Sequence, residues 1–123
     1  MWMESKHSLF KSFKFAFSGL ETAITKGKNF RIQIILGIIA TGLGIIYKIS
    51  SFEWLSLILI IASVLILELI NTAIESIVDL VSPEIQGKAK VAKDVSAAGV
   101  LIASIASVFI GALIFLPKIL HYQ

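Results

Sequence analysis

Apolar positions in this chain fall into one amphipathic stretch and then three long runs, and polar residues mark each boundary. From about residue 6 to 28, Phe10, Phe13, Phe17, Leu20 and Ile24 recur at three- and four-residue steps, while Lys11, Lys14, Ser18 and Thr25 take the other side. This periodicity predicts an amphipathic helix lying on a membrane surface. Gly27 and Asn29 predict a break before the next element. Ile32 to Ile46 is almost continuously apolar and predicts a first span over about residues 31–48, with Arg31 and Lys48 snorkelling at its ends. Gly37, Gly42 and Gly44 permit close helix contact there.

A turn around Ser50 and Ser51 leads to Trp54, an interfacial anchor at the start of a second span over about residues 53–80. The segment from Val81 to Ala92 holds Pro83, Gly87, Lys88 and Lys90 and reads as a polar connection, with Ser82-Pro83-Glu84 suited to starting a short helix or turn. A third span over about residues 93–117 ends at Pro117-Lys118. Ala97, Ala98, Gly99, Ala103, Ser104, Ala106, Ser107 and Gly111 make it small-sided, so it is expected to pack closely against other helices.

Composition fixes the solvent. At 123 residues and 57% hydrophobic, with mean hydropathy +0.93, the chain is too apolar for a soluble domain and too short for two. The fold class is therefore an all-α membrane protein: residues 1–123 form a single integral-membrane domain with three spans and a surface helix. The first apolar run follows a long basic segment and lacks a small-residue cleavage pattern, so no cleavable signal peptide is expected. The absence of cysteine excludes disulfides and thiolate metal sites.

Charge then gives orientation and excludes nucleic acid. Six basic residues precede the first span and three lie in the 81–94 connection, against one in the 48–53 turn and one near the C-terminus. The N-terminus and the second connection are expected on the cytoplasmic side of a bacterial inner membrane crossed several times. A nucleic-acid partner would call for a larger basic stripe than these two short segments supply.

The second span carries the candidate chemistry. Glu68-Leu-Ile-Asn71-Thr-Ala-Ile-Glu75 runs on to Val78-Asp79 out of an apolar run. At 100° per residue, Asn71 lies about 60° to one side of Glu68, and Glu75 and Asp79 fall within about 20° of it. Counted from Trp54, Glu68 lies about 21 Å along the helix, just inside the far hydrocarbon boundary, while Glu75 and Asp79 emerge among head groups. Acids on one stripe repel unless a cation is present, and a carboxylate-held Mg²⁺ commonly serves phosphate. Phosphoryl transfer needs an acid-held metal, a cation for the transferring charge and a base beside the acceptor hydroxyl. Glu75, Lys93 and Glu68 fill those roles, with Glu68 the base because it is deepest, where a lipid hydroxyl would sit. No Walker-type loop or protein-kinase signature is present.

These residues, with Ala92-Lys93-Asp94, Ala97-Ala98 and Phe115-Leu116-Pro117-Lys118, resemble the small bacterial diacylglycerol kinase and undecaprenol kinase family. The likeness extends to Phe13-Lys14, Gly19-Leu20 and Asn29-Phe30-Arg31. The resemblance implies a homotrimeric bundle with sites composed between subunits, ATP as phosphate donor, Mg²⁺, and a membrane lipid alcohol as acceptor, either undecaprenol or diacylglycerol. It further implies Glu68 and Asn71 as catalytic residues and Glu75 as metal and nucleotide ligand. Lys93, Asp94, Glu84, Gln86 and Phe15 become nucleotide contacts, and Phe30, Arg31 and Glu68 lie on the lipid-substrate side. The family usually supplies a second metal-binding glutamate three residues before the phenylalanine of Asn-Phe-Arg, and that position here is Gly27. Phe15 likewise stands where a stacking tyrosine is common.

Three other readings of the acids compete. A buried polar seam would lock helices without chemistry. A silent scaffold of the same fold would follow from the missing carboxylate at Gly27. A cation channel would need polar residues through the full depth of a span, and Trp54 to Leu67 offers only Ser56 and Ser63.

Overall fold

The computed structural model describes residues 8–82 and 87–121. They form four helices: α1 Ser8–Lys26, α2 Lys28–Ile46, α3 Ser51–Val81 and α4 Gly87–His121. There is no strand among the described residues. α2, α3 and α4 are long and apolar enough to cross a membrane, so the all-α architecture with three spans and an amphipathic first helix holds.

The helices overrun the apolar segments that announce them. α3 and α4 have 31 and 35 residues, about 46 and 52 Å, against a hydrocarbon core of ~30 Å. The start of α4 at Gly87 brings Lys88 and Lys90, expected in a connection, into its first turns. It also continues through Pro117 for one further turn, although proline withholds the N–H that Leu113 would accept. The expected turn at Ser82-Pro83-Glu84 falls largely outside the described residues.

Gly27 alone separates α1 from α2, in extended conformation (φ −101°, ψ 99°), and Asn29 already belongs to α2. The Gly27 N–H donates to the Ala23 carbonyl at 2.8 Å. A Cβ on residue 27 would lie 2.7 Å from that same oxygen and 3.3 Å from the Phe30 Cβ, so any side chain there forces the backbone to move. Arg31 ties the elbow from the other side: its Nη1 donates to the carbonyls of Ile24 at 2.8 Å and Thr25 at 3.0 Å. Those are end carbonyls of α1, the groups a helix C-terminus leaves unsatisfied.

The α2–α3 turn is built from reciprocal caps. Lys48 takes a left-handed φ of 50°; its N–H donates to Ile45 and the N–H of Ile49 donates to Gly44, the two bonds of a Schellman motif. Ser50 then caps α3: its hydroxyl accepts from the Glu53 N–H at 3.2 Å while the Glu53 carboxylate accepts from the Ser50 N–H at 2.9 Å. Ile49 sits between the caps and is buried against Trp54, four residues beyond the cap. Gly44 leaves room for the Trp54 ring, which a Cβ would meet at 2.8 Å.

The packed core lies at this end of the bundle. Ile49, Leu57, Ile114 and Phe115 are buried together, with Tyr47, Trp54 and Ile60 against them. Lys118 of α4 pairs with Glu53 at 3.0 Å and closes the α3–α4 seam there. Further along, Gln33 of α2 donates to Ser104 of α4 at 3.3 Å. Of the small residues, Gly99, Ala103, Ser104, Ala106, Ser107 and Gly111 are buried or half-buried, as close packing requires, whereas Ala97 and Ala98 are exposed in the single chain. Leu101, Ile102, Ile105, Val108, Phe109 and Leu113 on the same helix remain exposed, as do Phe10, Phe13 and Phe17 of α1.

Candidate active site

The polar stripe of α3 lies at the opposite end from the packed core, and its members differ in exposure. Glu68 is 5% exposed, Asn71 is half-buried, and Glu75 and Asp79 are exposed. The gradient follows from the helix leaving the apolar part of the bundle, so residues of similar chemistry meet different surroundings. Thr72 donates back to the Glu68 carbonyl at 3.0 Å, which keeps this hydroxyl on the helix.

α4 reads the stripe at two rungs. Lys93 Nζ lies 2.6 Å from Asp79 Oδ1, with the lysine largely covered. Three residues on, Ser96 Oγ donates to Asn71 Oδ1 at 2.6 Å and also approaches the Lys93 carbonyl at 3.0 Å. Asn71 in turn donates from Nδ2 to Glu75 Oε1 at 2.9 Å. Asp94, about 100° round the helix from Lys93, turns away to pair with Lys90 at 2.6 Å. Adjacent in sequence, Lys93 and Asp94 therefore act on different sides.

Helix α1 borders the stripe. Ala16, Gly19, Leu20, Thr22 and Ala23 face Leu69, Thr72 and Ala73 of α3 across an open, mostly apolar groove. Phe15 is exposed on α1, and Phe30 is buried at 3% just past the elbow. Arg31 spends its guanidinium on the α1 carbonyls. Glu84 and Gln86 lie outside the described residues. Among the described residues of the single chain, no three Asp, Glu or His side chains converge on one metal-sized point.

Thus Glu68, Asn71, Glu75 and Lys93 gather at one end of the α3–α4 seam, with Asp94 at its edge. Two participants carry weaker sequence signals. Asp79 shares the stripe but takes its partner only once α4 folds beside it. Ser96 is one serine in a small-residue helix; its i, i+3 spacing from Lys93 is the only sequence trace of its place.

Comparison with known proteins bears on this arrangement. A sequence model described as prokaryotic diacylglycerol kinase matches residues 14–115. A protein of Bacillus subtilis (strain 168) named undecaprenol kinase is 40% identical over 111 residues, covering 89% of either chain. A protein of Synechocystis sp. named diacylglycerol kinase is 38% identical over 114 residues, 92% of this chain but 65% of the longer relative.

Proposed function

Because the chain belongs to the prokaryotic diacylglycerol kinase family and is a membrane lipid kinase, we propose that it moves the γ-phosphoryl of ATP to a membrane prenol, undecaprenol, at the cytoplasmic interface. One observation carries the site assignment: a buried carboxylate, Glu68, and an exposed one, Glu75, share a helix face and stand about 10 Å apart along it.

Glu68 is the general base. The lipid hydroxyl approaches within the bilayer, gives its proton to the Glu68 carboxylate and forms the new O–P bond to the γ-phosphorus. The bond from that phosphorus to the β–γ bridging oxygen breaks and ADP departs. Glu75 is the metal ligand. Its exposure, with one oxygen held by Asn71, suits Mg²⁺, which needs one or two carboxylates beside substrate phosphates. Mg²⁺, when bound, neutralises charge on the β- and γ-phosphoryl groups. Lys93, already facing this stripe, serves the transferring charge once phosphate competes with Asp79 for it.

Phe15, Asp94, Glu84 and Gln86 belong to the nucleotide side of this proposal. Phe30 and Arg31 belong to the acceptor side, at the elbow that hangs α1 beside the stripe. A homotrimer with sites between subunits is part of this proposal, and the exposed apolar face of α4 leaves room for further copies. Undecaprenol is favoured over diacylglycerol by the match to the Bacillus relative, which covers 89% of both chains, against 65% of the Synechocystis relative.

The test is phosphate transfer from γ-labelled ATP in mixed micelles offering undecaprenol and diacylglycerol side by side. Labelled prenyl phosphate in excess over phosphatidate is expected, with an Mg²⁺ requirement. Phosphatidate alone overturns the acceptor, and no labelled lipid from either acceptor at any Mg²⁺ concentration overturns the transfer itself.

A further inference from the structure

Asparagine is a two-faced ligand: its oxygen accepts, its nitrogen donates, and the terminal torsion exchanges them at little cost. The Glu75 carboxylate accepts only, so it selects the nitrogen for itself. If Oδ1 pointed there, two acceptors would oppose each other and the carboxylate would be pushed off. The oxygen so placed is held from the neighbouring helix. Ser96 Oγ lies 2.6 Å from Asn71 Oδ1, a distance two acceptors do not tolerate, so the single hydroxyl proton lies on that line. The Lys93 carbonyl, at 3.0 Å, is the poorer acceptor of the two. With Oδ1 engaged, Nδ2 is directed at Glu75 Oε1, 2.9 Å away.

We propose that Ser96 is a positioning residue of the phosphoryl-transfer site, fixing the Asn71 amide and through it the Glu75 carboxylate. The inference rests on the reading of Glu75 as the group that receives Mg-ATP. Geometry gives the relay a direction. Its source is on α4, on the side of the helix from which Lys93 grips Asp79, and its end is an exposed carboxylate on α3. The Lys93–Asp79 salt bridge also joins the two helices at this end, but it does not touch Glu75. The serine adds orientation: with Oδ1 held by its hydroxyl and Nδ2 held by Glu75, the amide is anchored at both ends. A methyl group at residue 96 would leave the helices packed, release the amide, and free Glu75 to sample rotamers that do not face the nucleotide.

The test uses the full-length protein in mixed micelles and separates KM from kcat. Ser96→Ala is expected to raise the KM for Mg-ATP about fivefold, the scale of one hydrogen bond, with the KM for the lipid acceptor unchanged. Ser96→Thr and Ser96→Val have nearly the same shape and differ in the hydroxyl, so they carry the comparison where Ser96→Ala is poorly stable. Thr is expected to stay near the parent value and Val to match Ala. In a Glu75→Gln background, Ser96→Ala is expected to add no further rise, because the relay has lost its end.

Glu75→Gln raising the KM for Mg-ATP while Ser96→Ala leaves it unchanged overturns the relay and leaves the role of Glu75 standing. Glu75→Gln leaving that KM unchanged while Ser96→Ala raises it overturns both. Equal effects of Thr and Val, or a parallel rise in the KM for lipid, reduce Ser96 to a packing residue.

Discussion

Glu68 and Glu75 are the same side chain seven residues apart, and their surroundings differ: the first is buried and the second exposed. In the proposed mechanism the carboxylate that is 5% exposed takes a proton that moves within lipid, and the exposed one takes a cation arriving from water. Glu68→Gln should therefore lower kcat by about 10²- to 10⁴-fold while nucleotide binding is kept, since general base catalysis contributes on that scale. Glu75→Gln should weaken Mg-ATP binding. Steady-state kinetics together with titration of nucleotide binding read both effects, and equal loss of binding in the two variants contradicts the division. The stripe itself is legible in the sequence, because Glu68, Asn71 and Glu75 need only the helical period to meet. Ser96 is not, since a serine among alanines has no pattern of its own and gains its partner only when a second helix is laid alongside. Gly27 shows a different gap: its alignment with an acidic family position can be read, whereas the 2.7 Å approach of a Cβ to the Ala23 carbonyl can only be measured.

At the scale of the elements, hydropathy marks the spans, and the helices extend past them. An apolar run records where lipid touches the chain, and helical hydrogen bonding continues past that limit into water. Hence Lys88 and Lys90 are helical although their composition suggests a connection, and α3 runs over Ser51–Val81, a residue or two beyond each end of the expected span. Ser50 and Glu53 hold the start of α3 through two short-range bonds, and Glu53 also takes Lys118 at 3.0 Å. Ser50→Ala should destabilise the protein by about 1 kcal/mol, the usual cost of losing an N-cap. Thermal unfolding in detergent would register a lower midpoint. kcat and the KM for Mg-ATP should be unchanged, because the cap stands at the end of α3 remote from Glu75; a changed kcat would mean that the two ends of α3 are coupled.

For the molecule as a whole, one chain leaves much apolar surface open on α4, including Leu101, Ile105 and Phe109, and lipid or further copies must cover it. A mass of three 13.4 kDa chains per complex in detergent, by native mass spectrometry, is the expected outcome for a trimer. A dominant monomer or dimer contradicts it. Orientation is separately accessible because the chain has no cysteine, so single introduced thiols report without background. Ser51→Cys should react with an impermeant thiol reagent added to intact spheroplasts, and Lys88→Cys should react only after lysis. The reverse pattern would put the acidic end of α3 on the side without ATP.

The exposure gradient along α3 also governs traffic. A helix that runs from apolar surroundings at Glu68 to open surroundings at Glu75 in two turns is a boundary between two phases. With the proposed roles, the acceptor would reach it by lateral diffusion within the sheet of lipid, and the nucleotide along the perpendicular, from solution. Neither substrate crosses the other's path, so their order of arrival need not be enforced by a moving lid. The product leaves by the lipid route with a new charged head, which the same gradient draws outward to the water.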